Sequence, residues 1–176
     1  MLFRSLADAP AWQAHRNAWI DLLDRIGQTV LTIGKIARDV SLCAQPEVGE
    51  MLEAPARPGV GVSSAMPHKR NPVGCAHGLA AAIAMPGLLA TLHAAGIAEH
   101  ERALGGWQAE LALVPQIAGC LGTALDCLDT IAGSLVVNAD RMKANVAAHG
   151  AGSPDAVQAL QPALDELLAA LAPYLS

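Results

Sequence analysis

The sequence predicts an all-α protein, a bundle of long helices, and three observations carry that expectation. Hydrophobic residues make up 53% of the 176 residues and charged ones only 15%, which is enough apolar surface for one substantial core. Three Trp, one Tyr and one Phe leave that core to Ala, Leu, Val and Ile, a composition better suited to closely packed helices than to sheets. The third observation is periodicity: through the proline-free stretch 11–43, apolar residues recur at helical spacing, among them Trp12, Trp19, Leu22, Leu23, Ile26, Val30, Ile33, Ile36 and Val40.

That stretch is the first predicted helix. Pro46, Pro55 and Pro58, with Gly49, Gly59 and Gly61, then break the pattern, so residues 45–70 read as one long loop. Loops of this length in a compact domain usually serve a purpose. Asn71 is a good N-cap and Pro72 a good first helical residue, so a second helix is expected from there to Glu101, bent at Pro86. After Gly105 and Gly106 a third apolar helix is expected over 107–135, with Pro115 as a kink or a late first turn. Asn138 caps a short helix over 139–148, and a final amphipathic helix follows over 155–171. The domain reading is a helical bundle over 1–150, carrying a loop at 55–72, and a carboxy-terminal helical segment over 151–176.

Charge and cysteine usage narrow the function classes. A formal net charge of −5 with eleven scattered Lys and Arg offers no basic stripe, which argues against a nucleic-acid partner. Cys43, Cys75, Cys120 and Cys127 show neither a CxxC nor paired ligand spacing, which argues against a metal site and a disulfide framework and for a cytoplasmic setting. The chain opens without a secretory signal pattern. The stretch 74–98 has no formally charged residue and is long enough to raise the question of a membrane span, but His77, His93 and Pro86 interrupt it and its alanine bias is weakly hydrophobic. Burial within an oligomer is the expectation instead.

The run Ser63-Ser64-Ala65-Met66-Pro67-His68-Lys69-Arg70-Asn71-Pro72 carries the chemistry. It places two hydroxyls and a cationic pair directly before a helix start, where free N–H groups, the Lys69 ammonium and the Asn71 amide can face one carboxylate. A serine nearby could exchange a proton with such a ligand. By spacing alone the same run also reads as an ordinary capped loop with solvated basic residues.

This run resembles the signature segment of the fumarase/aspartase superfamily, G-S-S-x-M-P-x-K-x-N-P. Residues 34–40 with 47–50, and 99–107 with its Glu-His-Glu-Arg and Gly-Gly-Trp motifs, are similar to the bacterial carboxymuconate-cycloisomerase branch rather than to adenylosuccinate lyases. The resemblance covers about residues 11–146 and corresponds to the carboxy-terminal part of the family subunit. It implies the central helical domain of that superfamily, and lactonisation of 3-carboxy-cis,cis-muconate to 4-carboxymuconolactone in aromatic degradation. It further implies a small anionic polycarboxylate as substrate, no cofactor, no metal, no membrane and a cytoplasmic homotetramer. Carried over by position, Ser63 or Ser64 exchanges the proton, and Lys69, Asn71, Met66, His68, Arg16 and His100 contact the substrate. The family draws each site from several subunits, so a chain of this extent is expected to be incomplete for catalysis alone. Two alternatives stand beside this: a non-catalytic helical oligomerisation remnant, and an adenylosuccinate-lyase-like enzyme. The chain departs from the branch pattern at Gln13 and Ala14, at Val62 in place of a glycine, and at Ala98, Gln108 and Leu111.

Overall fold

A computed structural model describes residues 15–54, 61, 70–99, 103–150 and 162 of the chain. The chain divides into two compact units, Met1–Val137 and Asn138–Ser176. The first holds three long helices, α1 (Asn17–Cys43), α2 (Val73–Ala95) and α3 (Gly106–Ser134), and a two-stranded ribbon, β1 (Met51–Glu53) and β2 (Leu135–Val137).

Contacts along the helices set their directions. Gly96 of the turn after α2 meets Ile20, His93 meets Asp24, Gly27 meets Leu89 and Gly34 meets Ala82, so the two numbers run in opposite senses and α1 and α2 are antiparallel. Gly74 meets Thr130 and Gly78 meets Cys127, which makes α3 antiparallel to α2 and parallel to α1. The core lies along this seam. Leu23, Val30, Ile33, Ala81, Ala82, Met85, Leu92, Leu113, Ile117 and Ala124 form its larger part, and Ala37, Val40, Cys75, Cys127 and Ile131 a second cluster at the β-ribbon end. Small residues at the crossings are what bring the backbones this close. A Cβ at Gly34 would lie 2.3 Å from the Ala82 Cβ, and one at Gly78 2.5 Å from the Cys127 Sγ.

This packing predicts opposite outcomes for two glycine substitutions in chemical denaturation. Gly34→Ala puts two methyl groups into one space with no flexible side chain to yield, and should destabilise the unit by about 1–3 kcal/mol. Adding Ala82→Gly should restore most of that loss. Gly133→Ala, also helical but with nothing within 4 Å of the new Cβ, should instead stabilise by up to about 1 kcal/mol through helix propensity.

The observed elements differ from the sequence reading at their ends. α1 begins at Asn17 rather than Ala11; residues 11–14 lie outside those described, and Arg16 occupies the cap position. The stretch 45–70 is not loop throughout, because β1 pairs antiparallel with β2 in the register Met51↔Val137, Leu52↔Val136, Glu53↔Leu135. Three-residue strands carry too little periodicity to be read locally, and their partner is more than eighty residues away. α2 ends at Ala95 rather than Glu101, because the chain folds back there: a Cβ on Gly106 would lie 2.6 Å from the Ala95 carbonyl oxygen. Gly105 makes that turn with φ +88°, a region open to glycine, and its N–H donates to the Gln108 side-chain oxygen at 3.0 Å. Pro86 and Pro115 both sit inside their helices without ending them.

In the second unit α4 runs over Ala139–His149, and the Asn138 side chain accepts the Arg141 N–H at 3.0 Å, the cap expected from sequence. The helix expected over 155–171 lies outside the described residues.

By length and composition α2 and α3 could each cross a membrane. In the three-helix unit they bury one side against each other and α1, and leave Ile83 71% and Leu111 64% exposed on the other.

Candidate active site

Of the residues singled out by sequence, Ser63, Ser64, Met66, His68, Lys69 and His100 lie outside the described residues, and Asn71 and Arg16 lie within them. Asn71 marks the end of the signature run. Its N–H donates to the Gly61 carbonyl at 2.9 Å, so the chain returns to its starting point after ten residues. Gly61 has φ +75°, and a Cβ there would lie 2.7 Å from the Asn71 carbonyl oxygen. Both facts require glycine at the base of the segment.

The start of α2 is organised differently from the sequence reading. Pro72 holds the cap position, and the helix begins at Val73 with no cap from its own first residue or from Asn71. The carboxylate of Glu53, on β1, takes that role: Oε1 accepts the Gly74 N–H at 2.8 Å and Oε2 the Cys75 N–H at 3.0 Å. These are two of the N–H groups that the sequence reading offered to a substrate carboxylate. A charged acceptor at a helix start is favoured by the unsatisfied N–H groups and the helix dipole. Gly74 admits the carboxylate, since a Cβ there would lie 3.1 Å from both Glu53 Oε1 and Thr130 Cγ2.

The same carboxylate acts on two buried thiols. Burial, a hydrogen bond to Glu53 and the charge of Glu53 together push Cys75 from 9.0 up to about 12, and burial followed by the Glu53 charge raises Cys127. A thiol that ionises less readily folded than unfolded contributes stability that is complete below the unfolded value and is lost as pH rises through the folded one. Stability should therefore fall between pH 9.0 and about 12, and the fall should be shallower in Cys75→Ala. Denaturant midpoints measured across that window check it.

Arg16 sits at the other end of the bundle. Its Nε donates to Glu110 Oε1 at 2.9 Å and its Nη2 to Glu110 Oε2, a two-point ion pair with side chains only 11% and 7% exposed. The guanidinium also lies over the Trp19 ring, 5.7 Å from its centroid. Glu110 is the buried charged residue among those described.

Because α1 and α2 are antiparallel, Arg16 lies by the carboxyl end of α2 and Asn71 precedes its amino end. The 23 residues of α2 separate them by about 35 Å at the rise of an α-helix. One chain cannot bring Arg16 and Asn71 to the same small ligand. Sequence reasoning missed Glu53 and Glu110. Glu53 had no local signal, lying in a stretch read as loop; Glu110 had one, being the lone charge between Arg102 and Asp126 in an apolar helix, where a buried charge needs a partner. Among the described residues, no group of three or more His, Cys, Asp or Glu could hold a metal ion.

Residues 7–87 match a protein family described as lyase. The chain is 44% identical over 142 residues to the 3-carboxy-cis,cis-muconate cycloisomerase of Pseudomonas putida, covering 81% of this chain and 33% of that protein. It is 45% identical over 114 residues to the nitrosuccinate lyase of Streptomyces davaonensis, covering 65% of this chain and 24% of that one. The crystal structure of the 3-carboxy-cis,cis-muconate lactonizing enzyme from Pseudomonas putida superposes with a TM-score of 0.68 at 39% identity, over 81% of this chain and 30% of that one. The chain thus spans about a third of the length of the cycloisomerase it matches. A signature run leading into α2, an antiparallel bundle that superposes on a lactonizing enzyme, and this level of identity place the chain in the lyase family of the fumarase/aspartase superfamily.

Proposed function

We propose that the chain takes part in the lactonisation of 3-carboxy-cis,cis-muconate to 4-carboxymuconolactone, a step of aromatic-compound degradation. The observation that carries this reading is the 44% identity to the Pseudomonas putida cycloisomerase across 81% of the chain. In this reaction one carboxylate oxygen of the substrate closes onto an alkene carbon, and the neighbouring carbon gains a proton. Electron density moves meanwhile onto an adjacent carboxylate. Ser63 is the proton-exchanging residue, with Ser64 the alternative. Lys69 and Asn71 stabilise the developing enolate-like charge, since donors already in place need not reorganise as it forms. Met66 and His68 line the substrate, and Arg16 and His100 bind a carboxylate in a neighbouring site. No cofactor or metal takes part.

The distance along α2 supports a site assembled from more than one copy, with the signature segment of one and the Arg16 end of another. The exposed apolar faces of α2 and α3 support burial against further copies, and we read the assembly as a homotetramer in the cytoplasm, with the bundle over 1–150 and a helical segment over 151–176. A second reading is a non-catalytic helical oligomerisation module. It is favoured by Gln13, Ala14, Val62, Ala98, Gln108 and Leu111, which depart from the branch pattern near its motifs.

The loss of 3-carboxy-cis,cis-muconate absorbance, followed with the folded chain alone and with the assembly that contains it, tests both. Saturable turnover by the assembly supports the cycloisomerase reading. Turnover of nitrosuccinate instead would move the chain to an elimination reaction. No turnover of either by a folded oligomer would favour the non-catalytic module.

A further inference from the structure

The mechanism above makes no use of Glu53. Its carboxylate accepts from two successive N–H groups at the start of α2, and its backbone is held in the ribbon by pairing with Leu135. The next residue, Ala54, donates its N–H to the Ser134 carbonyl at 3.0 Å, at the end of α3. The side chain thus ties the first turn of α2 to a point fixed by β1, β2 and α3. Asn71 lies two residues before that turn, and its own N–H is tied to Gly61. The signature run is therefore bounded at its base by one backbone bond and, directly beyond, by one charged cap. We propose that Glu53 is a positioning residue that sets the register of Asn71 ahead of α2, a role that rests on the cycloisomerase reading above.

Two features separate this from a simple helix cap. The cap comes from a distant strand rather than from the residue before the helix, so it fixes where the helix starts in space as well as whether it forms. It also fills the helix start with a resident anion, leaving carboxylate recognition to the Lys69 and Asn71 side chains. Misplacement of charge-stabilising donors by about 1 Å is enough to slow a reaction by about a hundredfold.

Glu53→Gln tests it, because the amide keeps the volume but can accept one N–H and presents an NH2 to the other. In the whole chain and its native assembly, amide exchange at Gly74, Cys75 and Asn71 should quicken about tenfold while Val30 and Ile117 stay protected. With 3-carboxy-cis,cis-muconate, kcat should fall about tenfold or more while KM moves by less than about threefold. Glu53→Asp, too short to reach both N–H groups, should behave alike. Faster exchange at Gly74 and Cys75 with Asn71 unchanged would reduce Glu53 to a local cap and overturn the proposal, as would an unchanged kcat. If the wild-type assembly does not turn this substrate over, the cycloisomerase reading fails, and exchange at Asn71 alone then decides the positioning role.

Discussion

Glu110→Ala is expected to destabilise the three-helix unit by about 3–5 kcal/mol, seen as a large fall in the urea midpoint with little change in slope. The substitution deprives the Arg16 guanidinium of a two-point carboxylate partner at a place where both side chains are nearly removed from water. Water cannot fully replace that partner, so the penalty is mainly the desolvation of a charge that has lost a two-point carboxylate. Arg16→Ala should cost a similar amount by stranding the glutamate instead. The informative variant is the double one. Arg16→Met with Glu110→Leu removes both charges and fills the space with apolar groups, and should recover most of the loss, because a buried pair contributes less than the cost of breaking it. The coupling measured in that cycle would exceed about 2 kcal/mol. A Glu110→Ala chain within about 0.5 kcal/mol of wild type would mean that the pair is well solvated and contributes as little as a surface one.

If the proposed cycloisomerase function holds, Ser63→Ala in the assembly that contains this chain is expected to lower kcat for 3-carboxy-cis,cis-muconate by about 10²–10⁴-fold, the range associated with removal of a group that transfers a proton in the transition state. KM should change little, since a methyl in place of a hydroxymethyl group leaves the charged contacts of the substrate intact. Ser64→Ala is the comparison: the adjacent hydroxyl should cost clearly less. A larger loss at Ser64 would reassign the proton to that residue. Full activity in both variants would remove serine from the mechanism and leave only the charge-stabilising role of Lys69 and Asn71.

Much of this molecule was legible in its sequence. The apolar spacing from Trp19 to Val40 gave α1, the proline after Asn71 located the start of α2 to within one residue, and Asn138 capped α4 as expected. The signature run led to the lyase family without any coordinates. These features are local, in that each is a spacing or a backbone preference expressed within a few residues. What was not legible depended on distant partners. β1 and β2 are three residues each and form only because the ends of α1 and α3 bring them together. Glu53 looks like an ordinary loop acid, and the partner that the lone charge of Glu110 needs cannot be named, until the bundle places one over the first turn of α2 and the other against Arg16.

The sequence by itself determined the helical class and the order of the helices, because hydrophobic period and capping act over one or two turns of chain, and its signature run carried the resemblance to the family. Tertiary structure alone decided that Arg16 and Asn71 fall at opposite ends of the bundle and that the N–H groups at the start of α2 already hold a carboxylate. Both follow from the antiparallel packing of α2, whose close approach at Gly34 and Gly78 aligns the helices along their length and so keeps residues about 35 Å apart from sharing a ligand within one chain.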